Sequence, residues 1–111
     1  MQIIEGAGRW TSPGGAANDW VEHLRVPHLS VGTYCIPAGG VDTQSPHTED
    51  EIYVVTAGRA TIKTPTGTAE VAPGAVIFVP AGEEHRFEDV TEDLALLVVF
   101  GPFYGSLALP S

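Results

Sequence analysis

Short apolar runs, cut at near-regular intervals by glycine and proline, constrain this chain more than any other feature. Residues 29–36 (LSVGTYCI), 52–55 (IYVV), 75–79 (AVIFV) and 94–100 (LALLVVF) are each too short for a stable helix and have strand length. The 13 glycines and 9 prolines fall largely between such runs, as they do in sandwiches and barrels of short strands. No segment carries convincing helix caps beyond a short turn near Asn18. The expectation is an all-β chain. With 111 residues it builds one core, and so one domain.

Reading along the chain, residues 1–25 form a polar, glycine-rich arm that packs on the barrel or on a partner subunit. Its Trp10, together with Trp20, needs apolar cover, either by plugging one end of the barrel, by lying on a partner subunit, or by lining a ligand entrance. Residues 26–111 form the barrel domain. Ala57-Gly58 is expected to make a tight turn into residues 60–64, where Ala60 and Ile62 alternate with Thr61 and Lys63. Thr64-Pro65-Thr66-Gly67 then turns the chain back through Val71 as a hairpin. Residues 75–79 and 94–100 are continuously apolar, which predicts strands covered on both faces. The second of these suits either core or a dimer contact.

Charge narrows the partners. Fourteen acidic against five basic residues give a net charge of −9, which repels phosphate backbones and anionic headgroups, so neither nucleic acid nor membrane is an expected partner. Cys35 is the sole cysteine and has no internal disulfide partner. The N-terminus has no basic stretch followed by a long apolar run, and cytoplasm is the expected location.

Two stretches carry chemistry. QSPHTEDEIYVVTAG (44–58) holds His47, Glu51 and Gly58, and GAVIFVPAGEEHRFED (74–89) holds Gly74, Pro80, Gly82 and His85. Two histidines and a glutamate on neighbouring strands have the composition of a metal site, because imidazole suits first-row ions and one carboxylate supplies charge. By strand alternation Glu51 and Tyr53 share a face, as do His85 and Phe87. Inward-pointing Glu51 and His85 would therefore make Tyr53, Phe87 and Val55 pocket walls. Glu49 and Asp50 read as solvated turn carboxylates. His23 and His28 read as surface or strand-end residues, and Cys35 as a small buried hydrophobe.

These stretches resemble the paired motifs of the cupin family, G-x5-H-x-H-x3-4-E-x6-G and G-x5-P-x-G-x2-H-x3-N. The second motif fits at Gly74, Pro80, Gly82 and His85, with Asp89 in place of Asn, and the first fits from His47 onward through Glu51 and Gly58. Ser45 stands where the family has its first histidine, and the opening glycine, Gly39 or Gly40, is out of register by a position. The resemblance implies a small antiparallel double-stranded β-helix, or jelly-roll barrel, that forms a homodimer and holds one divalent transition metal ion. The expected ligands are His47, Glu51 and His85, with Gln44 supplying an amide oxygen if Pro46 turns it inward. Fe(II) stands first among Fe, Mn, Zn and Ni, because two histidines and one carboxylate are the ligand set of non-haem iron oxygenases. The expected function is that of a metal-dependent enzyme, of dioxygenase or isomerase/lyase type, acting on a small chelating organic molecule with Tyr53 as acid/base. A non-catalytic ligand-binding module remains the alternative.

Overall fold

The computed structural model of the chain describes residues 1–108, so the last three positions of the barrel domain lie outside the described residues. Six strands form: β1 (Asp19–Val26), β2 (Leu29–Ile36), β3 (Asp50–Thr64), β4 (Gly67–Val71), β5 (Val76–Val79) and β6 (Arg86–Gly101). They are rich in the β-branched and aromatic residues that pack well on a pleated surface. All pairings are antiparallel, in the order β1-β2-β6-β3-β4, with β5 added to β3. This is the all-β jelly-roll expected from the sequence. Among the described residues no helix is long and apolar enough to cross a membrane.

The two longest strands organise the rest. β3 has 15 residues and β6 has 16, well above the five or six of a typical strand, and each serves both ends of the barrel. The first part of β3 pairs with β5 and the last part with β4, while β6 runs beside both. Register shifts between Val55 and Thr61 bend β3. The tight turn expected at Ala57-Gly58 is therefore a bulge inside one continuous strand. Gly58 has φ 86°, and a Cβ there would lie 2.2 Å from the Asp93 carbonyl oxygen, so a side chain is sterically barred. The hairpin at Thr64-Gly67 forms as expected, with Pro65 and Thr66 as its loop.

The core lies between the two halves of the rolled sheet, with Ile36, Tyr53, Leu94 and Leu96 fully buried. Residues 94–100 supply core from a strand hydrogen-bonded on both sides, so they are not a sheet edge. The full cover expected for residues 75–79 does not hold. Val76 is 66% and Phe78 61% exposed, because β5 pairs only with β3 and its outer face has nothing over it. β1 pairs with β2 along its length, so the sheet starts at Asp19. Ahead of it, the backbone of Gly8 takes up the hydroxyls of Thr33 and Thr56, which ties the arm to the outer face of β2 and β3.

Candidate metal centre

Glu51 lies in the first part of β3 and His85 immediately before β6, with His47 in the loop before β3. The loop of the second motif is joined to the first by the Gly82 amide, which donates to the His47 carbonyl at 2.7 Å. That contact sets the two histidines at one height. Ligand atoms of His47, Glu51 and His85 all lie within 4.8 Å of one another. His85 Nε2 is 3.2 Å from Glu51 Oε1, and His47 Nε2 is 3.7 Å from Glu51 Oε2. Asp89, in the asparagine position of the second motif, has φ 49°, a left-handed conformation that Asn and Asp tolerate better than other side chains.

Gln44 completes the group. Its Oε1 is 2.8 Å from His47 Nε2 and accepts from the Tyr53 hydroxyl at 3.0 Å, while its Nε2 donates to Asp42 Oδ2 at 2.9 Å. Ser45, expected at the place of the missing histidine, is exposed to solvent instead. The turn through Pro46 thus brings Gln44 inward. Asp42 fixes which end of the amide faces the site. Its buried carboxylate also accepts from the Tyr34 hydroxyl, the Gln44 amide and the Phe87 amide, so only an N–H of the Gln44 side chain can point toward it.

The donor set is short of protons. His85 Nδ1 lies 2.9 Å from the Glu83 carbonyl, which can only accept, so Nδ1 carries the hydrogen and a neutral His85 presents a bare Nε2 inward. Both oxygens of Glu51 are buried and receive no hydrogen bond from the described residues. Glu51, Gln44 and His85 therefore direct lone pairs into one small space, with the Tyr53 hydroxyl as a donor on its wall. A buried carboxylate in that state costs several kcal/mol unless a cation joins it. These residues fit a divalent ion, and in its absence a proton is the substitute. Burial pulls His85 toward its neutral form, but the negative Glu51 carboxylate beside it and the Glu83 carbonyl on its other nitrogen outweigh that and raise its pKa. Burial dominates at His47 and lowers its pKa. Burial, reinforced by Glu51, drives the Tyr53 hydroxyl well above its ordinary range and keeps it protonated.

A cavity of about 190 Å³ opens on these atoms, lined by His47, Glu51, Tyr53 and Gln44 below and by Asn18, Trp20, Tyr34, Thr43, Val98, Phe100 and Tyr104 around it. A larger groove of about 410 Å³ is lined by Gln44 and His85 together with Lys63, Arg86, Glu84 and Glu88. Trp20 lines the cavity entrance, since Gly32 leaves no Cβ under its ring. Phe87 and Val55, expected as pocket walls, pack in the core instead, with Phe87 edge-on to Tyr53 at 5.0 Å. His23 bonds Thr33 and His28 is exposed, so neither joins the site.

Glu49, expected to be solvated, is 1% exposed. Its carboxylate accepts from the amides of Gly105 at 2.7 Å and Leu107 at 3.0 Å, and from Thr48. Burial pushes its pKa up, but these hydrogen bonds outweigh that and lower it. They hold residues 102–107 so that Tyr104 packs on His47 and Phe100. Asp50 is exposed, as expected, and caps the Ala81 amide. Asp42, Tyr34 and Tyr104 were not singled out from sequence. Alternation from Ile36 could have turned Tyr34 inward, and an aspartate two residues before Gln44 is a turn signal. Tyr104 follows the last strand and carries no periodic signal.

Comparison with known proteins agrees with this architecture. An uncharacterized protein of Streptomyces coelicolor is 48% identical over 89 residues, covering 78% of this chain and 85% of that protein. The structure of KdgF from a Halomonas species superposes with TM-score 0.70 at 20% identity, over 78% of this chain and 79% of that one. The DMSP lyase DddQ from Ruegeria pomeroyi superposes with TM-score 0.73 at 20% identity, over 99% of this chain and 57% of that one. These two likenesses are of fold. Residues 32–100 match the family model of the cupin domain, and the chain belongs to the cupin family.

Proposed function

We propose that this cupin holds one divalent transition metal ion between His47, Glu51 and His85, with Gln44 Oε1 as a fourth donor. On that ion it acts on a small chelating organic molecule, as an enzyme of oxygenase type. The observation that carries the reading is the buried Glu51 carboxylate, left without a hydrogen bond beside two imidazoles. Two imidazoles, a carboxylate and an amide oxygen suit Fe(II), Mn, Zn or Ni, and two histidines with one carboxylate favour Fe(II). A bound ion of this kind supplies Lewis-acid polarisation or oxygen activation.

The chain's own residues do the rest. Asp42 holds Gln44 with its oxygen inward. Tyr53, kept protonated, serves as a hydrogen-bond donor and proton source rather than a base at neutral pH. Trp20, Phe100 and Tyr104 limit water around the ion. The test is oxygen uptake by Fe(II)-loaded protein offered a panel of small chelating acids and enols, with a Tyr53→Phe variant beside it. Substrate-dependent uptake that falls in the variant supports an oxygenase. Metal binding with tight ligand binding and no turnover supports the alternative, a non-catalytic module, which is favoured by Tyr53 being the one acid/base candidate beyond the ligands.

The assembly is read as a homodimer. Ile52 pairs with Phe78 and Val54 with Val76, and the exposed members of these pairs form an apolar patch on β3 and β5. A single buried, unpaired cysteine accords with a reducing compartment, and cytoplasm remains the reading.

A further inference from the structure

We infer that the ligand taken by this centre is a compact oxygen-donor molecule with an apolar body that brings at most one negative charge, and that doubly charged anions are rejected. The inference rests on the metal reading above and deepens it. Its basis is the charge around the ion. The carboxylates of Glu51, Glu49 and Asp42 are all buried: Glu51 lies beside both imidazoles, Asp42 holds the Gln44 amide, and Glu49 is two residues from His47 and from Glu51. Together they outweigh a divalent ion, so the loaded centre carries no surplus positive charge with which to receive a dianion.

Among the described residues no lysine or arginine lines the cavity to make up the difference. The five basic side chains lie elsewhere, and Arg9 is not among the lining residues. Arg25 pairs with Glu22 and lies over Phe103, and Arg59 pairs with Glu92. Lys63 and Arg86 line the other groove, together with Glu84 and Glu88, and neither lines the cavity that Glu51 and His47 face. An anionic group extending from the ion would thus be desolvated without a partner.

The walls specify the remainder. Trp20, Val98, Phe100 and Tyr104 present apolar surface, and Asn18 and Thr43 add only neutral polar groups. A space of about 190 Å³ takes a molecule of roughly ten non-hydrogen atoms or fewer. Such a molecule docks its oxygens on the ion and its apolar part against the aromatic rings.

The experiment compares two chelators that form the same five-membered O,O ring on a metal. Acetohydroxamate brings one negative charge and a methyl group, whereas oxalate brings two charges and no apolar atom beyond its carboxyl carbons. Full-length protein is loaded with Zn(II) and titrated calorimetrically with each near neutral pH, and each affinity is divided by that of the chelator for the free ion. Acetohydroxamate is expected to keep its relative affinity and oxalate to lose at least about tenfold. Asn18→Lys, which places a cation at the cavity wall, is expected to raise oxalate binding several-fold and acetohydroxamate binding by less, so that the gap between the two narrows.

Oxalate binding as well as acetohydroxamate, failure of both to bind the loaded protein, or no response of oxalate to Asn18→Lys would each overturn the inference. A protein that takes up no Zn(II) in the loading step would overturn the metal reading itself, and this inference with it.

Discussion

Oε1 of Glu51 lies 3.2 Å from Nε2 of His85 at the base of the cavity, and neither oxygen of that glutamate receives a hydrogen bond from the described residues. With His85 neutral the pair is unfavourable, because an acceptor faces a nitrogen whose hydrogen is on the other side of the ring. Glu51→Gln removes the buried charge and supplies an N–H toward His85. At alkaline pH, where His85 is neutral, the ion-free variant is expected to be more stable than the parent by about 1–3 kcal/mol, and it should lose metal affinity. Thermal melts with and without chelator check this. An ion-free Glu51→Gln protein less stable than the ion-free parent would show that Glu51 is not destabilising in the folded chain.

Metal uptake is expected to weaken on acidification and to release protons. His85 in the ion-free protein has its pKa raised above the ordinary imidazole value of 6.5, and an ion can bind only the deprotonated ring. Competition by the proton therefore begins above that pH and strengthens as pH falls. His47, with its pKa lowered, adds to the competition only at lower pH. Titration in buffers of different ionisation enthalpy measures the protons released. Affinity that is flat from mildly alkaline to mildly acidic pH would contradict the assignment of His85 as a ligand.

Glu49 is expected to act through the C-terminal segment. Removal of its carboxylate leaves the Gly105 and Leu107 amides without their acceptor, and Glu49→Ala should cost about 1–3 kcal/mol. Hydrogen exchange should show those two amides losing protection while the β3–β6 ladder keeps its own. Unchanged protection at both would mean that Glu49 does not hold the segment carrying Tyr104.

The apolar patch on β5 gives a test of assembly. Phe78 is 61% exposed and pairs with Ile52 across the edge of the sheet. Light scattering is expected to report a dimer for the parent and a monomer for Phe78→Lys, without loss of strand content by circular dichroism. A monomeric parent at tens of micromolar, on the order of ordinary working concentrations, would remove the patch as a dimer contact.

Much of the architecture was legible because strand length and turn chemistry are local. β2 begins and ends where its apolar run does, at Leu29 and Ile36, and the Pro65-Thr66 loop was marked by its own residues. Gly58 was misread because a glycine with positive φ serves a bulge as well as a turn. Which one it serves depends on the Asp93 backbone packed against it, far away in sequence. The two histidines and Glu51 were visible through spacing. Gln44 was visible only as an option, since its direction depends on the buried carboxylate of Asp42, which no periodicity marks. Glu49 read as solvated because nothing local announces that residues 102–107 fold back over it.

The account stands or falls on whether one ion binds at His47, Glu51 and His85. The direct measurement is elemental analysis of protein purified without added metal and again after Fe(II), Mn(II) or Zn(II) loading and desalting, with the triple variant His47→Ala, Glu51→Ala, His85→Ala treated in parallel. About one equivalent per chain in the loaded parent and none in the variant is the expected result. Equal occupancy in the two, or an empty parent after loading with every ion, would contradict it.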